Sequence, residues 1–310
     1  MVAVPLATVL AQLGAERIAR AVPDVEVVEV PMSGPVPEGL RAEILFAVPV
    51  WSPTLEDLLG RGVTWLQVAG TGIDALPPEA LGDRVVTCAR GASAVPIAEF
   101  ALAAMLCRAK QLPESWLSAP SDRHGYAELA SLDGQTLGLV GLGGIGSALA
   151  ERALAMGMRV LAVRRTTAPG PAGVEVCGSL DEMLAVTDHL VLAAPATART
   201  RRLMDAEAFK RCKAGLHLVN VARGSLVDHD ALLFALDAGL LSRATLDVTD
   251  PEPLPVGHPL LTHPRVLVSA HISWSSPGAL DRLVDEFVEN LRRHLAGEPL
   301  VGVVDPEEGY

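Results

Sequence analysis

The sequence predicts an α/β fold in which two domains each contain a doubly wound parallel sheet. Short apolar runs alternate with helix-like stretches along almost the whole chain, a rhythm typical of parallel sheets flanked by helices. A glycine-rich turn at residues 141–146 joins an apolar run to a helix-like segment. One class of doubly wound sheet begins with this order of strand, glycine-rich turn and helix. The chain has 310 residues, about twice the length of an average domain, so we expect two domains.

The hydrophobic pattern up to about residue 95 predicts the elements of a first sheet. Strands are predicted at residues 25–30, 44–50, 64–68 and 85–87. Helices are predicted at residues 6–20 and 54–59. The turn at residues 70–72 follows the third of these strands and should lie at its carboxyl end, the edge where open α/β sheets favour ligands.

A long apolar helix is predicted at residues 96–110, because Pro96 suits the first turn of a helix. The stretch at 112–131 is irregular, and its prolines and aromatic residues fit either a connector or an oligomer contact. A final helix at 278–296 is expected to return to the first domain.

The second domain should hold six strands, which with their helices make one complete doubly wound unit. The strands are predicted at residues 137–140, 159–163, 189–193, 216–221, 243–246 and 266–269. The helices are predicted at residues 147–156, 179–186, 206–212 and 229–238.

The glycine-rich turn has the spacing of a dinucleotide-binding fingerprint. Gly141 permits the tight turn, Gly143 lets the backbone approach a pyrophosphate, and Gly146 lets the helix pack closely on the strand. The start of the helix offers N–H groups and a positive dipole end to phosphates. A strand, this turn, a helix and a second strand in that order favour nucleotide binding over an ordinary glycine turn.

The composition excludes several classes of protein. The formal net charge is −12 and half of the residues are hydrophobic, which argues against a nucleic-acid partner and against disorder. The four cysteines are scattered without metal-ligand spacing, so no metal site is expected and the thiols fit a reducing compartment. Charged residues interrupt the apolar start and no membrane-spanning run is present, so we predict a soluble, cytoplasmic protein.

Three polar residues follow predicted strands of the second domain and make chemical sense together. Arg223 can hold a carboxylate in a bidentate manner and polarise an adjacent carbonyl. His271 can transfer a proton near neutral pH, and a carboxylate such as Glu252 would favour the imidazolium and fix its orientation. Taken singly, an arginine at a strand end is more often a surface ion-pair residue, and a single histidine is more often a cap or a satisfied core residue. The joint arrangement favours hydride transfer to a 2-oxo acid beside a nicotinamide.

With these residues in place, the chain resembles the D-isomer-specific 2-hydroxyacid dehydrogenase family. The segments that carry the resemblance are residues 70–74, 97–99, 141–146, 194–197 with Thr200, 220–224, 247–255 and His271. The resemblance implies that Arg223 binds the substrate carboxylate and carbonyl, that His271 is the general acid/base, and that Glu252 is its partner. It also implies that backbone N–H groups of Thr71 and Gly72 hold the substrate carboxylate.

The resemblance also implies the cofactor contacts and the assembly. Asp247 would contact the nicotinamide side of the dinucleotide, or alternatively brace the turn that follows it. The other implied cofactor contacts are Gly141, Gly143, Gly144, Ile145, Gly146, Ala194, Pro195, Thr200 and Ala222. Two Rossmann-like domains would flank a cleft, with a discontinuous substrate domain (residues 1–96 plus 278–310) and a dinucleotide domain (residues 97–277). A homodimer is usual in the family.

Two departures from the family pattern carry information. Arg164 and Arg165 stand where an NAD-preferring fold commonly has an acidic residue, which favours NADP because arginine suits a 2′-phosphate. The alternative is that both arginines face solvent or stack on adenine, with NAD as cofactor. Trp274 follows His271 at a place where the family pattern commonly has small residues, so it either walls the substrate pocket or packs in the core or at an interface.

Two rival functions stay open from the sequence. One is a dinucleotide-sensing regulator that kept the fold and lost useful catalysis. The other is an enzyme of the same class that acts on an oxyanion donor rather than on a hydroxy acid.

Overall fold

The structure is a computed structural model that describes residues 1–5, 8–116, 127–165, 169–305, 308 and 310. Its contacts divide the chain into two compact units, Met1–Ser93 with Ser276–Tyr310, and Ala94–Ser275. No helix among the described residues combines the length and the apolar character needed to cross a membrane.

The elements alternate between strand and helix along the described chain. The strands are β1 (Val2–Pro5), β2 (Val27–Val30), β3 (Ile44–Ala47), β4 (Trp65–Val68), β5 (Val85–Cys88), β6 (Thr136–Val140), β7 (Arg159–Val163), β8 (Val174–Val176), β9 (His189–Leu192), β10 (Leu216–Asn220), β11 (Leu241–Leu246) and β12 (Val266–Val268). The helices are α1 (Thr8–Ala21), α2 (Pro53–Leu59), α3 (Pro78–Leu81), α4 (Ala94–Lys110), α5 (Gly144–Ala155), α6 (Leu180–Leu184), α7 (Ala206–Arg211), α8 (His229–Asp237) and α9 (Ala279–Ala296).

The first unit is built on a five-stranded parallel sheet with the order β2-β1-β3-β4-β5. Because side chains alternate across a strand, β3 supplies both faces of the core. Leu45 packs with Leu58 of α2 on one face, and Phe46 stacks on Phe287 of α9 on the other, with ring centroids 4.6 Å apart. The sheet is therefore covered on both sides, and α9 closes one of them.

The second unit is built on a seven-stranded parallel sheet with the order β12-β11-β10-β9-β6-β7-β8. Alternation again serves two cores: Leu190 packs on the side of α6, α7 and α8, whereas its neighbour Val191 packs on the side of α4 and α5. The strand order reverses between β6 and β9, and such a switch point is where doubly wound sheets bind ligands.

The predicted α/β fold with parallel sheets is confirmed, but the predicted strand counts of four and six are wrong. β1 was missed because its apolar residues run into the apolar start of α1. β8 was missed because it has the short sequence Val-Glu-Val and is half-exposed, so it has no continuous apolar run. The helix predicted at residues 6–20 is found at Thr8–Ala21. Residue 6, and residues 117–126 of the irregular stretch, lie outside the described residues.

A buried histidine pair lies at the amino end of the second sheet. His189 Nδ1 lies 3.1 Å from His217 Nδ1, and their other ring nitrogens bond to Gln135 Oε1 at 2.8 Å and to Thr245 Oγ1 at 3.0 Å. With Gln135 Oε1 as the acceptor, His189 carries its proton on Nε2 and accepts on Nδ1 from His217. The hydroxyl of Thr245 then donates to His217 Nε2, so every ring nitrogen is satisfied while both rings are neutral.

We expect this pair to make the fold sensitive to acid. Burial lowers the pKa of His189 from 6.5 to about 4, and burial together with the neighbouring His189 holds the pKa of His217 well below its ordinary range. The unfolded chain therefore binds protons that the folded chain does not, so this stability is complete above about pH 6.5 and is lost toward pH 4. His189 alone should contribute roughly 3 kcal/mol.

The check is urea unfolding at a series of pH values, combined with NMR titration of the histidine rings. We expect the free energy of unfolding to fall steadily below pH 6.5, with the two rings still neutral at pH 5. A ring of His189 that titrates near pH 6.5 in the folded protein would contradict the prediction.

Candidate active site

The glycine turn joins β6 to α5 at the switch point of the second sheet. Gly141 has φ +98°, and a Cβ atom there would lie 2.7 Å from the carbonyl oxygen of Ala193. A Cβ atom on Gly146 would collide with the carbonyl oxygen of Gly141. Gly143, by contrast, has no atom within 4 Å of such a Cβ. The turn is thus closely packed at Gly141 and Gly146 and open at Gly143. The helix α5 begins directly after it, with Gly144 and Ile145 as its first residues.

The loop after β9 lies against this turn. Ala194 is half-buried and Pro195 is exposed, and Thr200 folds the loop back on itself. Its hydroxyl donates to Pro195 O at 2.7 Å and accepts from the backbone N–H of Thr197 at 2.8 Å. The structure therefore brings the predicted cofactor residues of the glycine turn and those of the loop after β9 to one edge of the sheet.

The two arginines follow β7, which pairs with β6 through Val140 and Val163. Arg164 is half-buried, with its Nη1 3.5 Å from Pro169 O, and Arg165 is exposed. Because β6 and β7 are neighbours, both arginines leave the sheet beside the glycine turn. Residues 166–168, which follow them, lie outside the described residues.

Arg223 is positioned by the buried side chain of Asn220, the last residue of β10. Asn220 Nδ2 donates to the carbonyl oxygen of Arg223 at 2.8 Å, and its Oδ1 accepts from the backbone N–H of Ala222 at 3.0 Å. The guanidinium of Arg223 bonds through Nη1 to Ala222 O at 2.8 Å. The sequence predicts no role for Asn220, although an asparagine that ends an apolar strand next to a candidate arginine is a usable signal.

Gly224 brings the Arg223 loop into contact with the loop after β11. A Cβ atom on Gly224 would collide with the backbone of Thr249 and Asp250. Only a residue without a side chain fits this close approach. Two residues beyond Asp250, the second loop carries Glu252, so Gly224 couples the position of Arg223 to that of the carboxylate.

Glu252 and His271 form a direct pair between the loops after β11 and β12. His271 Nδ1 lies 2.6 Å from Glu252 Oε1, and Glu252 Oε2 accepts from the backbone N–H of Thr249 at 3.2 Å. Both side chains are about two-fifths exposed, at 41% and 39%. The carboxylate therefore fixes the ring through Nδ1 and leaves Nε2 as the nitrogen for proton transfer.

Asp247 holds the loop that carries His271. It is 1% exposed, and its Oδ1 accepts from Ser269 Oγ at 2.6 Å and from the N–H of Ile272 at 2.9 Å. Its Oδ2 accepts from the N–H of Ser273 at 3.0 Å. These bonds brace the loop after β12 rather than the turn that directly follows Asp247, and His271 itself sits in that loop at φ +54°. Contact of Asp247 with a nicotinamide stays a prediction.

Trp274 also contacts the His271 loop. Its Nε1 donates to the carbonyl oxygen of His271 at 3.0 Å, and its ring packs against the core cluster that lies on the side of α4 and α5. These contacts favour the packing alternative, and a substrate-facing role of the ring stays a prediction.

The predicted substrate loop belongs to the first unit and the other candidate residues belong to the second. Thr71 is exposed and Gly72 half-buried after β4, and the buried side chain of Ile73 anchors them. The hydroxyl of Thr71 donates to the carbonyl oxygen of Ala89 at 3.3 Å. Within the described residues, no group of three or more acidic, histidine or cysteine side chains is arranged to hold a metal ion.

Comparison with known proteins places these features in a wider group. Residues 100–273 match the family model of the D-isomer-specific 2-hydroxyacid dehydrogenase NAD-binding domain. Over 237 residues, or 74% of this chain, the sequence is 35% identical to a D-3-phosphoglycerate dehydrogenase of Mycobacterium bovis. The chain covers 44% of that relative, and spans less than half the length of the curated relatives it matches.

Two solved structures are similar over the whole chain. A D-isomer-specific 2-hydroxyacid dehydrogenase from Xanthobacter autotrophicus, in complex with NADPH and MES, is 30% identical with a TM-score of 0.87 and coverage of 100% of this chain and 99% of that one. An NADPH-dependent glyoxylate/hydroxypyruvate reductase from Sinorhizobium meliloti, in complex with NADP and sulfate, is 25% identical with a TM-score of 0.86 and the same coverage.

Proposed function

The chain belongs to the D-isomer-specific 2-hydroxyacid dehydrogenase family, and from this premise we propose that it interconverts a 2-oxo acid and a D-2-hydroxy acid with a nicotinamide dinucleotide. The observation that carries the proposal is the 2.6 Å contact between His271 Nδ1 and Glu252 Oε1. Gly224 links the loop of Arg223 to that of Glu252. The Arg223 guanidinium, which can bind a carboxylate, therefore lies at the same edge of the sheet as His271, the oriented acid/base.

The proposed chemistry assigns one task to each side chain. Arg223 binds the substrate carboxylate and polarises the C2 carbonyl. His271 donates a proton from Nε2 to the carbonyl oxygen, while Glu252 stabilises the positive ring through Nδ1. When bound, the nicotinamide supplies the hydride that C2 accepts. The carbonyl thereby becomes a hydroxyl, and the reverse reaction returns the proton to His271. Backbone N–H groups of Thr71 and Gly72 are proposed to bind the substrate carboxylate.

The glycine turn fits a dinucleotide on its own geometry. The open space at Gly143 suits the approach of a pyrophosphate, and the first N–H groups of the twelve-residue helix α5 point toward it. Gly141, Gly144, Ile145, Gly146, Ala194, Pro195, Thr200 and Ala222 are the further proposed contacts, with Asp247 on the nicotinamide side.

We expect the enzyme to prefer NADPH over NADH. Arg164 and Arg165 leave β7 beside the glycine turn, and both solved relatives named above were crystallised with NADPH or NADP. Replacing both arginines with alanine should lower kcat/KM for NADPH by roughly tenfold or more while changing that for NADH little. Steady-state rates with the two cofactors decide this. A wild-type protein with equal kcat/KM values, or with a preference for NADH, would contradict the expectation.

The proposed activity is tested with a panel of 2-oxo acids, from glyoxylate and hydroxypyruvate to bulky aromatic ones, with either cofactor. Oxidation of NADPH at ordinary enzyme rates with at least one acid would support the enzyme. Tight cofactor binding without turnover of any acid would instead favour the dinucleotide-sensing regulator.

The assembly and compartment are also proposals. The resemblance to the family supports a homodimer, which sedimentation equilibrium would report as twice the 32.5 kDa chain mass. The scattered positions of the four cysteines in the sequence support a reducing compartment such as the cytoplasm. The family also supports substrate binding by the first unit and dinucleotide binding by the second.

A further inference from the structure

A single guanidinium on α9 bonds to two distant stretches of the first unit. Arg282 Nε donates to the carbonyl oxygen of Ala92 at 2.8 Å. Its Nη2 donates to Ser276 Oγ at 2.6 Å, and its Nη1 donates to the carbonyl oxygen of Pro277 at 3.2 Å. All three nitrogens are thus used in a fixed fork, which the planar guanidinium provides and an ammonium does not.

These partners are not arbitrary points of the chain. Ala92 lies at the end of the first segment of the unit, Met1–Ser93, and residues 276–277 begin its second segment, Ser276–Tyr310. Arg282 therefore joins the end of one segment to the start of the other.

The loop that Arg282 holds is bonded on its other side to the proposed substrate loop. The backbone N–H of Ala89 donates to the carbonyl oxygen of Gly70 at 2.9 Å, and the hydroxyl of Thr71 donates to the carbonyl oxygen of Ala89 at 3.3 Å. Ala89 and Ala92 are 1% and 6% exposed, so the segment between them is fixed at both ends. A continuous set of bonds leads from α9 to residues 70–72.

A second side chain of α9 contacts the same loop. Glu286 lies one helical turn after Arg282, and its carboxylate bonds to the backbone N–H of Ala92. Its Oε1 lies 3.6 Å from the position that a Cβ atom on Gly91 would take. Burial raises the pKa of Glu286, and the bond from Ala92 offsets part of that effect. Arg282 and Glu286 together satisfy both backbone polar groups of Ala92.

We propose that Arg282 is a positioning residue for substrate binding: it holds residues 89–92 against α9 and thereby fixes the backbone N–H groups of Thr71 and Gly72. The proposal rests on the function proposed above, in which those N–H groups bind the carboxylate of the 2-oxo acid. Loss of Arg282 loosens the carboxylate site equally in the ground state and the transition state, so it raises KM and leaves kcat unchanged.

The test compares Arg282→Met and Arg282→Lys with Arg293→Met. Arg293 is a matched control because it lies on the same helix and its Nε donates to Glu289 of that helix at 3.0 Å. We expect Arg282→Met to raise KM for the preferred 2-oxo acid roughly tenfold or more, with kcat and the Kd for NADPH unchanged. Arg282→Lys, which retains one bond, should recover part of the effect, and Arg293→Met should match the wild type.

Amide hydrogen exchange gives a readout that does not depend on activity. Exchange at residues 70–72 and 89–92 should accelerate in Arg282→Met and stay unchanged in Arg293→Met. Unchanged exchange in that loop, or faster exchange with an unchanged KM, would overturn the proposal. A wild-type protein that reduces no 2-oxo acid would instead refute the proposed function, and would overturn the substrate role of Arg282 even if exchange shows that it holds the loop. If Arg282→Met fails to fold, the same measurements on Arg282→Lys decide.

Discussion

Replacing His271 with alanine should lower kcat by a factor of roughly 100 to 10,000, the usual contribution of a positioned acid/base. The reason is local: His271 Nδ1 is bonded to Glu252 at 2.6 Å, so Nε2 is the ring nitrogen left to exchange the proton in the proposed reaction. The Kd for NADPH, measured by fluorescence titration, should stay within about twofold, because the glycine turn lies on a different loop from His271.

His263→Ala is the matched control. His263 also pairs with a carboxylate, with its Nε2 3.2 Å from Asp237 Oδ1, but it belongs to the segment before β12 and not to the loop after it. Turnover of His263→Ala should equal that of the wild type. If His271→Ala retained turnover within tenfold of the wild type, His271 would have no part in the chemistry.

Among glycine-to-alanine substitutions near the site, each of which adds one methyl group, Gly224→Ala should destabilise the protein most. The new Cβ atom would collide with the backbone of Thr249 and Asp250, and backbone cannot move aside as a flexible side chain can. We expect the free energy of unfolding, measured in urea, to fall by about 3 kcal/mol. In the folded fraction kcat/KM should also fall, because the loops of Arg223 and Glu252 would be pushed apart.

Gly143→Ala controls for the substitution itself. No atom lies within 4 Å of a Cβ at that position, so the free energy of unfolding should change by less than about 0.5 kcal/mol. The same variant should weaken NADPH binding, since the methyl group would occupy the space proposed for the pyrophosphate. An unfolding midpoint for Gly224→Ala equal to that of Gly143→Ala would contradict the prediction, because it would show that the backbone at Thr249 moves aside without loss of stability.

The sequence was sufficient for the elements whose pattern is local. Continuous apolar runs predict β9 and β10. Because the carboxyl ends of parallel strands lie at one edge of a sheet, the sequence also predicts that Arg223, Glu252 and His271 share that edge. β8 was not predicted, because an edge strand with exposed side chains does not need a continuous apolar run. Local pattern thus predicts what is buried along a strand, and it fails where burial is partial.

The bracing of the site could not be predicted, because it depends on contacts between loops from separate strands. The roles of Asn220 and Gly224 follow from distances between the ends of β10 and β11. The partners of the Asp247 carboxylate lie in the loop after β12, 22 to 26 residues further along the chain, so its bonds depend on where that loop lies. Arg282 meets Ala92 across 190 positions of sequence, a separation at which no pattern signals a partner.

The discontinuity of the first unit has a consequence for synthesis on the ribosome. The core around Phe46 is completed by Phe287 of α9, which emerges only after the whole of Ala94–Ser275 has been made. Domains generally fold as units once their residues are available. The second unit, contiguous in sequence, can therefore reach its native state first, while the face of the first sheet that carries Phe46 is covered by α1 and still lacks α9. Folding during translation would therefore complete the second unit before the first, whose core waits for α9 and for Val304 after it.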